Sequence, residues 1–184
     1  MKVYIRQPGG SGVPVTVRAE WLSTGKIIPR LYWTPDGSCH KIDRVYETVP
    51  MAFLKSRGEG LRFKIEATAS DTDHIRREFY LYLADNLFCG KNIIDSRYEH
   101  ESKEFIPVTL DIFPNCEYEL IDFEARGVKY AVEKTIAVEP RGTIHAGGVG
   151  IWHKVEARRC DCENTRIAAV YFEINKWFVR VKAA

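Results

Sequence analysis

The chain has 184 residues, with 27 Lys plus Arg against 25 Asp plus Glu and a formal charge of +2. Its 45% hydrophobic content is enough to bury a core and excludes a disordered chain. The near balance of charge excludes a dedicated, strongly basic nucleic-acid binder and an acidic tail.

No apolar run approaches the roughly 20 residues of a membrane span, and Met1–Arg6 lacks the apolar region of a signal peptide. The five cysteines are scattered. Without an export signal they read as free thiols in a reducing compartment, so a cytoplasmic location and no membrane partner are expected.

Sliding the sequence against itself by 90 positions places Gly37 on Gly127, Pro50 on Pro140, and Gly58 and Gly60 on Gly148 and Gly150. Lys64, Glu66 and Ala67 fall on Lys154, Glu156 and Ala157. This register needs no gap from Leu31 to about Cys89. Upstream, Pro14–Val17 matches Pro107–Leu110 at an offset of 93, which places three missing residues in the first turn of the second copy. A fixed period of this kind marks a repeated unit. The expected organisation is a first β repeat over 1–91, a linker over 92–104 and a second β repeat over 105–184.

In chain order, Arg30–Trp33 reads as a strand, Pro35-Asp36-Gly37 as a turn, and Ser38–Val49 as a long strand. Gly60–Ala67 alternates apolar and charged residues, the period-two pattern of a half-buried strand. Tyr80–Leu83 is rich in strand formers, and Asp85-Asn86 sits where a hairpin turn belongs, before Leu87-Phe88. In the second copy Gly150–Ala157, Val170–Glu173, Asn175-Lys176 and Trp177–Val179 fill the same roles.

No segment carries helical periodicity over three turns. A copy of roughly 80 residues buries a small fraction of its surface. The fold expected is therefore all-β: two tandem, pseudo-symmetric, small antiparallel barrels or rolled sheets packed together as an intramolecular pseudo-dimer. Residues 1–91 carry 14 basic and 10 acidic side chains, and residues 92–184 carry 13 and 15, so the halves differ in sign.

Several motifs resemble a family of short bacterial β-domain proteins of unknown function, each about one copy long. They are Trp33-Thr34-Pro35-Asp36-Gly37, Ile42-Asp43-Arg44-Val45, the loop Leu54–Phe63, and, from the second copy, Ala146–Ile151 and Trp177-Phe178-Val179. The first copy departs at Leu87-Phe88-Cys89 and the second at Ala125-Arg126-Gly127. The resemblance implies a compact β domain, here duplicated in tandem, and no known activity.

The glycine-rich loops are the first candidate for binding. Lys55, Arg57, Gly58 and Gly60 combine backbone N–H groups with cations in a way that suits an anion. With no helix following, this is neither a P-loop nor a dinucleotide loop. The alternative is a connection that needs glycines before a strand. On the strand faces, Arg62 and Lys64 in one copy and Trp152 and Lys154 in the other would present cations and an aromatic ring to a single-stranded nucleic acid. Cross-strand ion pairing with Glu66 and Glu156 is the competing account. Arg44 and Lys134 share an apolar strand face in this reading, as phosphate or carboxylate anchors or as stems that snorkel outward.

His153, Cys160 and Cys162 offer soft metal ligands, but the spacing is not C-x-x-C and no fourth ligand is evident. Cys39 and His40 are adjacent on a strand and point to opposite faces, so they do not form a nucleophile–base pair. No catalytic motif stands out and no cofactor is expected. The function expected is a non-enzymatic binding module for nucleic acid or another polyanion. The alternatives are a protein–protein adaptor using a strand edge or Trp21, Trp33 and Trp152, and an enzyme with a site between the repeats.

Overall fold

In the computed structural model, residues 3–6, 10–53, 58–69, 77–84, 101–142, 149–173 and 176–182 are described. Among them the chain forms fourteen β-strands and no helix, so the all-β expectation holds. The first seven are β1 (Tyr4–Arg6), β2 (Gly12–Pro14), β3 (Thr16–Trp21), β4 (Ile27–Trp33), β5 (Cys39–Phe53), β6 (Gly58–Ala69) and β7 (Arg77–Ala84). They are followed by β8 (Glu101–Phe105), β9 (Val108–Ile112), β10 (Tyr118–Ala125), β11 (Val128–Gly142), β12 (Val149–Arg159), β13 (Thr165–Glu173) and β14 (Lys176–Lys182).

The chain divides into two compact units that are not the two halves of the sequence. Unit 1 is Met1–Glu20, Ile28–Phe88 and Leu110–Glu119. Unit 2 is Trp21–Ile27, Cys89–Thr109 and Leu120–Ala184. Each unit therefore contains a hairpin tip from the other half of the chain.

In unit 1 the strands run in the order β2-β1-β7-β6-β5-β4-β3, and the second part of β9 lies beside β3. Residues 16–21 alternate between half-buried and buried, with Val17 and Ala19 facing the core. Phe63, Ile65, Tyr32, Leu110 and Ile112 complete that core. The segment 110–119 is tied in by charge as well. Arg18 grips Asp111 with both arms of its guanidinium, at 2.7 and 2.6 Å, and lies over the Trp33 ring at 5.2 Å. The Val3 N–H donates to the Pro114 carbonyl at 3.1 Å.

In unit 2 the order is β10-β11-β12-β13-β14-β8. Its core holds Phe123, Val155, Val170, Phe172 and Trp177, and it includes Trp21, which is fully buried and meets Phe172 edge-on at 5.5 Å.

These strand orders correct the expectation of small barrels: the runs are open, ending at β2 and at β8. A barrel must pair its first strand with its last. In unit 1 the outer edge of β3 is instead taken by residues 110–112, as the Arg18–Asp111 fork requires.

Other details follow the period of 90 closely. β5 and β11 are each fifteen residues long. Both break register twice against their partner strands, around Asp43 and Tyr46 in one and around Glu133 and Ile136 in the other. These bulges rotate the strand by one face. Arg44 and Lys134 consequently lie opposite Glu66 and Glu156 and are exposed, not seated on an apolar face.

Contrary to the sequence register, the first turn of the second half is not three residues shorter. The turns Leu22–Lys26 and Phe113–Glu117 have the same length and the same hydrogen bonds, Leu22 N–H to Lys26 and Phe113 N–H to Glu117, both at 2.8 Å. Gly25 and Cys116 hold the left-handed position, at φ 87° and 68°. The second half of the chain is shorter by one residue at the next turn, where five residues separate Trp33 from its partner Cys39 and four separate Glu124 from Lys129. There Thr34–Ser38 is replaced by the two-residue turn Arg126-Gly127, both residues with positive φ, as a twist-matched hairpin needs.

Unit 1 is incomplete without residues 110–119. A chain ending at Lys91 is therefore expected to yield no folded monomer, only unfolded or self-associated material. Light scattering and far-ultraviolet circular dichroism would check this. A stable monomeric half with native strand content would show that the 110–119 segment is dispensable.

Candidate functional site

In an antiparallel ladder, residues directly opposite one another point to the same side of the sheet. Register therefore decides what the outer face of unit 2 displays. Phe105 on β8 lies opposite Phe178 on β14, Phe178 opposite Tyr171 on β13, and Tyr171 opposite Trp152 on β12. Four aromatic residues thus form one row across four strands. The Phe178 and Tyr171 rings stack at 5.2 Å, and Phe105 meets Phe178 edge-on at 6.2 Å. Phe178 is buried within the row, Phe105 is exposed, and Tyr171 and Trp152 are half-buried.

Cations flank the row. Lys103 lies opposite Arg180, and Lys154 opposite Ala169, two residues along the same face. Lys176 lies on the other side of the row, opposite Glu173. Lys103 Nζ sits 4.5 Å from the Phe178 ring centre, Lys176 Nζ 4.9 Å from Phe105, and the Arg180 guanidinium 4.9 Å from Tyr171. Electrostatic attraction to the ring faces holds these cations flat on the surface. Lys103 also donates to Glu173, and a second acid, Glu139 on β11, lies directly opposite Trp152 at the end of the row.

The ladder between β13 and β14 stops early. Among the described residues it pairs Tyr171, Phe172 and Glu173 with Phe178, Trp177 and Lys176, and goes no further. Beyond that point β14 follows β8 while β13 follows β12, and a cleft of about 440 Å³ opens between them. Tyr171, Ala169 and Arg180 form its lip, continuous with the aromatic row. Its floor includes Phe123 and Tyr130, which stack at 5.1 Å.

The residues singled out from sequence divide as follows. Trp152 and Lys154 belong to the aromatic and basic face. Arg62 lies opposite Val49 and pairs with Glu47 at 3.8 Å, and Lys64 lies opposite Glu47, so in unit 1 the basic strand face is matched by acid. Gly58 opens β6 opposite Phe53, and Gly60 is buried opposite Met51. Lys55 and Arg57 lie outside the described residues. Trp21 is fully buried and is not a surface anchor.

His153, Cys160 and Cys162 are not brought together. His153 is buried mid-strand, with Trp177 5.0 Å away, while the cysteines lie at the far end of β12 and in the turn after it. Among the described residues no group of three His, Cys, Asp or Glu is arranged to hold a metal. Asp161, between the cysteines, is bound by Arg159 at 2.9 and 2.6 Å, which holds its carboxyl below the usual range.

Sequence reasoning missed Phe105, Lys103, Tyr171, Lys176 and Arg180 as a set. The signal was present in Tyr171 and Phe178, apolar residues at positions that alternate with the buried Val170, Phe172 and Trp177. Seeing the row, however, needs the β8–β14 pairing, which joins residues more than seventy positions apart.

Comparison with family models, with curated proteins and with solved structures finds no match. Among the described residues no helix is long and apolar enough to cross a membrane.

Burial drives the His153 imidazole down to a pKa of about 4, against a hydrogen bond to the Val170 backbone that pulls the other way. The unfolded chain protonates this group near 6.5, so the unfolded state binds the extra proton between pH 6.5 and 4. Stability from this group is complete above pH 6.5 and falls by about 3 kcal/mol on acidification to pH 4. Urea unfolding at pH 7 and pH 5 is expected to show about 2 kcal/mol of this loss in the native chain and a smaller one in His153→Phe. Equal losses would place the acid sensitivity elsewhere.

Proposed function

We propose that the protein is a non-enzymatic binding module for single-stranded nucleic acid, with the outer face of unit 2 as its surface. The observation that carries this reading is the row Phe105, Phe178, Tyr171 and Trp152 bordered by Lys103, Arg180, Lys154 and Lys176. Unpaired bases have open faces that stack on aromatic side chains, and flanking cations meet the backbone phosphates. A flat sheet face reads neither groove of a duplex, so single strands are the preferred form.

The near-neutral charge of the whole chain is compatible with this reading, because the cations are local to one face. We further infer that the two halves of the chain are diverged tandem copies. The matched bulges of β5 and β11 and the matched turns at Gly25 and Cys116 support this. The copies differ where it matters for binding: Arg62, paired with Glu47, is the counterpart of Trp152 in the period of 90.

A protein-partner reading rests on one specific observation, the outer edge of β13 over residues 165–170, which has no ladder partner among the described residues. An extended peptide would add there as a strand.

The deciding measurement is fluorescence anisotropy of labelled single-stranded and duplex oligonucleotides at several salt concentrations. Saturable binding to the single strand is expected, with a log–log salt slope of roughly 2 to 3 for four cations, one already engaged by Glu173. Tyr171→Ala should weaken it about ten-fold or more, the cost of losing one stacked base. A flat titration at low salt would sink the nucleic-acid reading and leave strand addition at β13 as the one to pursue.

A further inference from the structure

The cleft between β13 and β14 has a different character from the row beside it. Three arginines from three elements are among the residues that line it: Arg126 from the β10–β11 turn, Arg166 from β13 and Arg180 from β14. No carboxylate is among the residues that line it. Arg166 is exposed and has no ion pair among the described residues.

Arg126 is the unusual member. Its φ of 52° lies in the left-handed region, where an L side chain is disfavoured and glycine or asparagine is the usual occupant. Its N–H is fixed on Glu104 Oε1 at 2.6 Å. The guanidinium reaches only 3.8 Å from the same carboxylate, and the side chain is 69% exposed. A hairpin that would form more easily with a smaller residue thus carries a cation at the lip of the cleft. Strain of this kind, kept at a site, points to a use for the side chain.

We propose that this cleft receives a phosphomonoester carried on a nucleoside, the phosphorylated end of a strand whose bases lie on the aromatic row. The proposal rests on the nucleic-acid reading above and names what the same surface would recognise at its end. An internal phosphodiester carries one negative charge. A terminal phosphomonoester approaches two near neutral pH and presents three acceptor oxygens. Three planar guanidiniums with forked donors suit the second group better than the first.

Size agrees, since about 440 Å³ is a small-ligand pocket and not a track for many nucleotides. Position agrees as well. The cleft opens beside the Tyr171–Phe178 pair at the middle of the row, so a strand end that turns off the row at that pair enters it. The shared chemistry also admits a free mononucleotide, and the test separates the two sources.

The experiment measures binding of thymidine hexanucleotides to the full chain in three forms, with a 5′-phosphate, with a 3′-phosphate and with neither, together with competition by thymidine 5′-monophosphate. One of the two end phosphates is expected to tighten binding about ten-fold or more over the unphosphorylated strand. In Arg126→Gly and Arg166→Gln the ratio of phosphorylated to unphosphorylated affinity should fall towards one. Arg126→Gly relieves the left-handed strain and should fold at least as stably as the native chain, so a lost ratio there is not a folding defect.

If the mononucleotide competes at concentrations matching the phosphorylated strand, the phosphomonoester chemistry stands and its source is the free nucleotide. Equal affinity for all three strands, with binding intact, would overturn the cleft assignment and leave the aromatic row untouched. No binding of any strand would overturn the row and the cleft assignment together.

Discussion

Register is the constraint on which the outer face of unit 2 depends. A strand has a side-chain period of two, so a slip of one residue in β14 would send Phe178 inward and Trp177 outward. The slip is prevented from inside. Trp177 is fully buried against Phe172 and His153, and Phe172, Val170 and Val155 fill the rest of that layer. The Ile106 N–H bond to the Trp177 carbonyl at 3.0 Å fixes the approach to β8. The hydrophobic core thus sets the aromatic row indirectly: once Trp177 is locked in, Phe178 and Arg180 must lie outside.

The same logic explains where the sheet gives way. Between β13 and β14 the three paired positions are those with the largest inward side chains, Phe172 and Trp177, at their centre. Further along, β13 turns inward only Ala168 and Arg166, and Ala157 stands opposite Arg166 on β12. Small and charged groups there give little apolar area to hold two strands together, while β8 holds the other edge of β14 over Phe105–Glu101. The split is therefore a consequence of side-chain size along one face. It leaves the cleft open without a loop being needed to form it.

Much of the fold could be read from the chain because strands announce themselves locally. Alternation in Gly60–Ala67 and Gly150–Ala157 and the turn residues around Gly37 survive in the structure as β6, β12 and the turn between β4 and β5. Segment exchange could not be read in the same way. Trp21 looks like an exposed aromatic in a loop-flanked strand, and nothing near it in sequence shows that it is buried against Phe172, about 150 positions later. The turn comparison failed for a related reason. Gly37 and Gly127 both take positive φ, so they align well by type, yet they close turns of different length. Basic residues were legible as a class, but the pairing of Arg62 with Glu47 across a bulged ladder required the register itself.

The cation–aromatic contacts determine what kind of binder this face would be. In the free protein Lys103, Lys176 and Arg180 already lie on the rings of Phe178, Phe105 and Tyr171. A base that stacks on such a ring must first move the cation aside, and each contact is worth roughly 0.5–1 kcal/mol at an exposed site. On the proposed reading the displaced cation would stay on the surface and swing to a phosphate within a side chain's length. Stacking and charge neutralisation are therefore coupled, because each frees the group that the other needs. Affinity is then a difference between two satisfied states rather than a sum of new contacts, which favours reversible binding. It also makes the sharpest discrimination fall to the cleft, where Arg166 has no aromatic face to leave.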